Sequence, residues 1–181
     1  MDLSASTVDS TASGLALSNA GAIREANRFS KAVGDAYLKF EVGRGIQVGL
    51  PMKHVQEVMV LPLRYLTPMP NMPLGVLGLM HRRSRVLWTI DLAMLLDVGV
   101  LDYVPQQYDI VIIRTGSTSV AAAVRRVEGI AWVSPEDVQP VPSHVSKGLI
   151  PYSRGCILND QKVVFFLDGE AILQAPILQP A

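Results

Sequence analysis

The chain has 181 residues, of which 49% are hydrophobic and 18% charged, with 16 Lys+Arg balanced by 16 Asp+Glu. Such a composition excludes a wholly disordered chain, and zero net charge gives no global pull toward nucleic acid or an anionic membrane. A single cysteine excludes a disulfide framework and a Cys-based zinc site, and aromatics at 6% are too few for a stacking platform along single-stranded nucleic acid.

Residues 1–36 are rich in Ser, Ala, Thr and Gly. They lack a basic n-region and an apolar h-region, so they do not read as a signal peptide. Leu15 to Ala32 has the composition of a weak helix, and the stretch is expected to be a flexible leader. No segment reaches the ~20 apolar residues that span a bilayer. A cytoplasmic, soluble protein without direct membrane insertion is therefore expected.

The body starts at Tyr37. Leu38, Phe40 and Val42 alternate with Lys39 and Glu41, Gly43-Arg44-Gly45 make a turn, and Ile46, Val48 and Leu50 resume the alternation: a β-hairpin. A short helix is predicted over Met52–Met59. Strands are predicted over Leu63–Thr67, Val76–Met80, Val86–Ile90, Tyr108–Thr115, Ser119–Val127, Gly129–Val133, Gly155–Leu158 and Val163–Leu167. Short helices are predicted at Leu92–Leu96 and Gly169–Leu173. Many short strands punctuated by Gly and Pro argue for small barrels or a sandwich.

The chain also repeats itself. Shifted by 77 residues, GLMHRRSRVLWTIDLAMLL (78–96) falls on GCILNDQKVVFFLDGEAIL (155–173) without a gap. Gly78 meets Gly155, Val86 meets Val163, Asp91 meets Asp168 and Leu96 meets Leu173. A shift of 72 aligns the preceding part: Val55 with Val127, Val58 with Ile130, Pro68 with Pro140, Pro70 with Pro142, Phe40 with Ile112 and Val48 with Val120. A five-residue insertion within 143–154 reconciles the two shifts. A repeat of this length suits a duplicated small β-barrel rather than a solenoid. Two similar β modules follow, about 37–92 and 108–168, within a body of 37–173, with 174–181 as a C-terminal tail. Each is marginal in size alone, so the two should pack together.

No constellation points to catalysis. Asp91 and Asp168 each stand between a strand and a short apolar helix, the position of a helix cap. No G-x-S-x-G, Walker A or G-x-G-x-x-G sequence is present. Cys156 lies in an apolar run, as a buried inert thiol would. The histidines at 54, 81 and 144 lack metal-ligand spacing, so neither a metal nor a cofactor is expected. The stiff loop Leu66–Pro73, with two Met and three Pro, suits either a preformed docking surface or packing between modules.

One cluster stands apart. His81, Arg82, Arg83 and Arg85 crowd the tip of a hairpin in the first copy, where the second copy carries Leu158, Asn159, Asp160 and Lys162. The tip reads either as a solvated turn or as a docking site for a protein partner. As an alternative, a basic hairpin could bind nucleic acid or another anionic partner, which zero net charge and the lack of nearby aromatics disfavour. Glu57 of V-Q-E (55–57) is the candidate acid for one of these arginines.

The pattern resembles the chemotaxis coupling protein CheW and CheW-like regulatory domains over about 37–173. The family's first strand is matched by Y-L-K-F-E-V, its V-x-E segment by V-Q-E, and G-V-x-N-L-R-G-x-V-x-P-V-x-D-L by G-L-M-H-R-R-S-R-V-L-W-T-I-D-L (78–92). Gly78, Arg83, Asp91 and Leu92 match; His81, Arg82, Ser84 and Trp88 depart. T-P-M-P-N-M-P together with the hairpin looks most like the cyanobacterial branch linked to phototaxis and type IV pilus motility. The resemblance implies an all-β fold of two intertwined five-stranded barrels of the Src-homology-3 type, without catalysis or cofactor. It implies an adaptor between methyl-accepting receptors, bound at their cytoplasmic tips, and a CheA-type histidine kinase, bound through the kinase's own CheW-like domain. Self-association or ring assembly is compatible with it, as is a location peripheral to membrane receptor arrays. It implies a salt bridge between Glu57 and Arg83 beside the receptor-binding groove, with Val55 in the same segment and Arg82 and Arg85 flanking the pair.

Overall fold

The computed structural model describes residues 34–43, 45–99, 106–159 and 161–179. The expected leader and its weak helix thus lie outside the described residues up to position 33. The first strand begins at Asp35, two residues before the alternation becomes legible. The described residues form eleven strands and two short α-helices. They are β1 (Asp35–Gly43), β2 (Ile46–Pro51), β3 (Val55–Pro62), β4 (Leu66–Thr67), β5 (Val76–Arg82), β6 (Arg85–Asp91), α1 (Leu92–Leu95), β7 (Gln107–Thr115), β8 (Thr118–Val124), β9 (Arg126–Val133), β10 (Ser153–Asn159), β11 (Lys162–Leu167) and α2 (Gly169–Leu173).

The strands form two sheets, ordered β10-β11-β2-β1-β9 and β3-β7-β8-β6-β5-β4. Neither sheet is built from one repeat. The leading hairpin of each repeat pairs with the strands of the other. β2 runs parallel to β11 with Gly49 opposite Phe166, and β8 runs parallel to β6 with Ala121 opposite Thr89. These two registers map onto each other under the shifts of 72 and 77 read from the sequence. The correspondence extends to the irregularities. Leu77 and Arg154 are the extra residues of matching bulges in β5 and β10, and Gln56 and Glu128 of matching bulges in β3 and β9. The β4 pairing of Thr67 with Leu79 recurs as a bridge between Gln139 and Cys156. The five inserted residues therefore lie between Gln139 and Ser153. The chain is a swapped pair of similar units, an all-β architecture with two curled sheets.

Three apolar clusters hold it together. The largest lies between the sheets and includes Phe40, Leu50, Ile90, Leu92, Ile113, Ala122, Leu167 and Ile172. A second gathers Leu61, Met80, Leu87, Ile110, Ile112, Ala121 and Ala123, all from the second sheet. The third joins Val133, Val164 and Phe166 to Tyr37, Val138 and Ile157, with the Tyr37 and Phe166 rings 4.4 Å apart between centroids. β7 and β8 send alternate residues into the first two clusters, which is why Ile110–Ile113 and Ala121–Ala123 read as unbroken apolar runs. The helix starts behave as the sequence implies. Asp91 accepts from the Met94 N–H at 3.2 Å and Asp168 from the Glu170 N–H at 3.0 Å. Cys156 is buried, and burial pushes its thiol pKa up.

Several sequence expectations need correction. Met52–Met59 is not a helix: a single 3-10 turn over Met52–His54 leads into strand β3. Val58 and Val60 point outward and are 42% and 49% exposed, which hides the strand period by placing apolar residues on both faces. Leu63–Tyr65 is a 3-10 turn, and only Leu66–Thr67 is strand. Ser119–Val127 is broken at Arg125, where β8 ends and β9 begins. Phe40 matches Ile113 rather than Ile112, because Val42 is an extra residue in β1: Phe40 faces Val48 as Ile113 faces Val120. Beyond position 173, Ala175 is buried and Ile177 and Leu178 pack on the central core.

Candidate functional site

The site is assembled by β3 and the β5–β6 hairpin. β3 exposes Gln56, Val58 and Val60 and turns Val55, Glu57, Met59 and Leu61 inward. The hairpin closes through a two-residue turn, Arg83 and Ser84, with φ of 46° and 61°, between the paired residues Arg82 and Arg85. Left-handed backbone at both central positions is what a tight hairpin of right-twisted strands requires. β3 and β5 stand four places apart in their sheet, so the two can meet only because the sheet curls on itself.

They meet through charge. The Glu57 carboxylate accepts from Arg82 through both Nε, at 3.1 Å, and Nη2. Its second oxygen lies 3.7 Å from Arg83 Nε. The side chains differ in exposure: Glu57 is 16% exposed, Arg82 36% and Arg83 75%. The Arg82 hydrogen bond, with the charges of Arg82 and Arg83, holds the Glu57 carboxyl below its ordinary pKa and raises that of the Arg82 guanidinium. Glu57 thus meets an arginine of the tip, but its main partner is Arg82. Arg82, expected to flank the pair, belongs to it, and Arg83 is a second, looser partner. The reason is strand geometry. Gly78, Met80 and Arg82 share the inward face of β5, whereas Arg83 is already in the turn.

The other site residues are placed apart. His81 and Arg85 are exposed, with no ion-pair partner among the described residues. Val55 is half-buried against the central core and lines a cleft of about 540 Å³ with Lys53, His54, Gln56, Arg114 and Glu170. None of the four basic tip residues lines that cleft.

Two features were not singled out in the sequence. His54 is 8% exposed, its Nδ1 has no hydrogen-bond partner among the described residues, and Gly169 at the start of α2 lies against its ring. Burial and then Lys53 lower its pKa, against the opposing pull of Glu170 and Asp168. No spacing in the sequence could have linked positions 54 and 169. The second is a charged network at the β9 bulge. Glu128 pairs with Lys39 at 3.0 Å and accepts from Gln47 at 2.9 Å, while Arg125 and Arg126 meet Glu41. Here the repeat offered a signal, since a shift of 72 lays Gln56 on Glu128. Gln56 accepts from Ser119 as Glu128 accepts from Gln47.

Chemically, the arrangement is a set of fixed charges and apolar edges. Among the described residues no group of His, Cys, Asp and Glu is placed to hold a metal ion, and no helix is long and apolar enough to cross a membrane.

Comparison with known proteins places this fold. The CheW-like domain family matches residues 36–176. No match was found among curated proteins. The crystal structure of the scaffolding protein TtCheW from Thermoanaerobacter tengcongensis is similar at a TM-score of 0.65 and 18% identity, over 75% of this chain and 90% of that one. The match along nearly all of the described body, on a fold of two curled and swapped sheets, means that the chain belongs to the CheW-like domain family, a family of non-catalytic coupling scaffolds in chemotaxis signalling.

Proposed function

We propose that this chain is a non-catalytic adaptor that couples methyl-accepting receptors to a CheA-type histidine kinase. The observation that carries the reading is Glu57, held by the arginines of the hairpin tip in a CheW-like fold. An ion pair at such a partly exposed surface site adds little to folding. Its value is in presenting a fixed pattern of shape and charge to a partner. The docking surface comprises Val55, Glu57, His81, Arg82, Arg83 and Arg85. The T-P-M-P-N-M-P loop and the arginine-rich tip support assignment to phototaxis or type IV pilus motility. In this reading the protein works in the cytoplasm, at membrane arrays to which its receptors recruit it.

The test is co-sedimentation of the full chain with purified receptor signalling-tip fragments and the regulatory domain of a CheA-type kinase encoded in the same genome. Capture of both supports the reading. Capture of neither, with tight binding to duplex DNA at physiological salt, would replace it with the basic-hairpin alternative.

A further inference from the structure

Three arginines stand at the hairpin tip, and Glu57 is the only carboxylate paired with any of them among the described residues. Arg82 takes it through two hydrogen-bonding nitrogens. Arg83 is left at 3.7 Å and three-quarters exposed, and neither Arg85 nor the exposed His81 has an ion-pair partner among the described residues. The tip thus carries an outward excess of positive charge that no carboxylate among the described residues other than Glu57 pairs with. Backbone conformation adds a second, independent observation. Arg83 and Ser84 both have left-handed φ, at 46° and 61°. Asn-Gly is the favoured pair in such a turn, and a long side chain there is uncommon. The hairpin dictates the left-handed backbone but not an arginine there, so the long side chain at a position that favours Asn or Gly points to a role for the guanidinium itself.

We infer that the two adjacent arginines divide the work: Arg82 is the internal clamp on Glu57, and Arg83 is the outward cation that receives a carboxylate from the docking protein. Arg85 supplies the surrounding field. The partner's contact patch is an acidic segment of a protein, and an Asp or Glu opposite the turn pairs with the Arg83 guanidinium. A guanidinium suits this role because its fork binds a carboxylate through two parallel hydrogen bonds and stays charged at any working pH. Glu57 fixes the direction of the tip, so that the loose Nε contact orients Arg83 without consuming it. The inference rests on the adaptor reading and names the chemistry of its receptor contact.

The experiment uses the full chain, a purified receptor signalling-tip fragment from the same genome, and a double substitution, Arg83→Asn with Ser84→Gly. That substitution gives the turn its preferred residues while removing the cation. The melting temperature should rise, and the fragment should bind about tenfold more weakly and with a flatter dependence on NaCl. Replacing acidic residues of the fragment by Gln, one at a time, should reveal one whose loss weakens the wild type but not the doubly substituted chain. Unchanged affinity in that chain overturns the inference while leaving the adaptor reading in place. A lowered melting temperature makes Arg83 structural and overturns it as well. If the wild type binds no receptor fragment but binds duplex DNA competitively with heparin, both the inference and the adaptor reading fall.

Discussion

Replacing Gly78 by Ala tests the duplicated architecture at its tightest point. Gly78 follows the β5 bulge with φ of 141°, and a Cβ there would stand 2.2 Å from the Thr67 carbonyl oxygen. That oxygen belongs to the backbone of β4, which is paired to β5 and cannot swing aside. Two costs combine: overpacking of about 1–3 kcal/mol and a strained φ of about 1–3 kcal/mol. A loss of about 4 kcal/mol is expected, which lowers Tm by roughly 8–16 °C in a domain of this size. Gly155 is the same position in the other repeat, but its nearest neighbour is the Val138 side chain at 2.5 Å, with the Gln139 carbonyl at 2.8 Å. Gly155 lies outside the left-handed φ region that adds strain at Gly78, so Gly155→Ala carries the overpacking cost alone and should cost less, about 1–3 kcal/mol. Urea titration of both variants, followed by circular dichroism, gives the comparison. A Gly78→Ala variant within about 0.5 kcal/mol of wild type, or a Gly155→Ala variant that loses more, would refute the reasoning.

Further expectations follow from the same contacts. The chain has two tryptophans, Trp88 on β6 in one sheet and Trp132 on β9 in the other, and the swapped hairpins tie both sheets to one core. Single-tryptophan variants (Trp88→Phe, Trp132→Phe) should therefore show coincident urea transitions; separated midpoints would mean that the sheets fold independently. Gly169→Ala puts a Cβ 2.6 Å from His54 Nδ1 and should destabilise the fold, whereas adding His54→Ala should recover part of the loss; additive costs would show that the two do not touch. His54 has a folded pKa below its ordinary 6.5, so the unfolded chain binds the extra proton first. Stability should fall as pH drops from 6.5 toward the folded value and be insensitive to this group above 6.5. His54→Gln should remove that component from the stability–pH curve. Cys156, buried with a raised thiol pKa, should react with iodoacetamide only slowly until the chain is unfolded; fast labelling of the native protein would contradict its burial.

Much of the architecture was legible because the chain states it twice. The glycines at 78 and 155, the aspartates at 91 and 168 and the proline pairs at 68/70 and 140/142 each mark the same structural event in two copies. The pairing of sheets was not legible in the residues themselves. A hairpin such as Tyr37–Pro51 has the same local pattern whether it pairs with its own repeat or with the other, and only the resemblance implied intertwining. β3 was misread because its outward face carries Val58 and Val60, so alternation of apolar with polar residues disappears just where the strand matters for the site. Glu57 does meet Arg83, as the resemblance implied, but the closer contact of Arg82 was not legible. Glu57 and the basic tip were identified, but a strand reverses its facing at every step, and the choice between Arg82 and Arg83 depends on where ladder gives way to turn. That boundary is set by the register of β5 with β6, which pairs Arg82 with Arg85 and leaves Arg83 and Ser84 as the turn.

The proposed coupling of receptor to kinase runs through the surface organised by Glu57. The most direct measurement is titration calorimetry of the full chain against a receptor signalling-tip fragment and against the kinase regulatory domain, with wild type and Glu57→Arg compared. Wild type should bind both, whereas Glu57→Arg, which sets three arginines against a fourth cation, should stay folded, lose the receptor fragment and retain the kinase domain. Wild-type binding to neither, or unchanged receptor affinity in the folded Glu57→Arg chain, would contradict the proposed coupling.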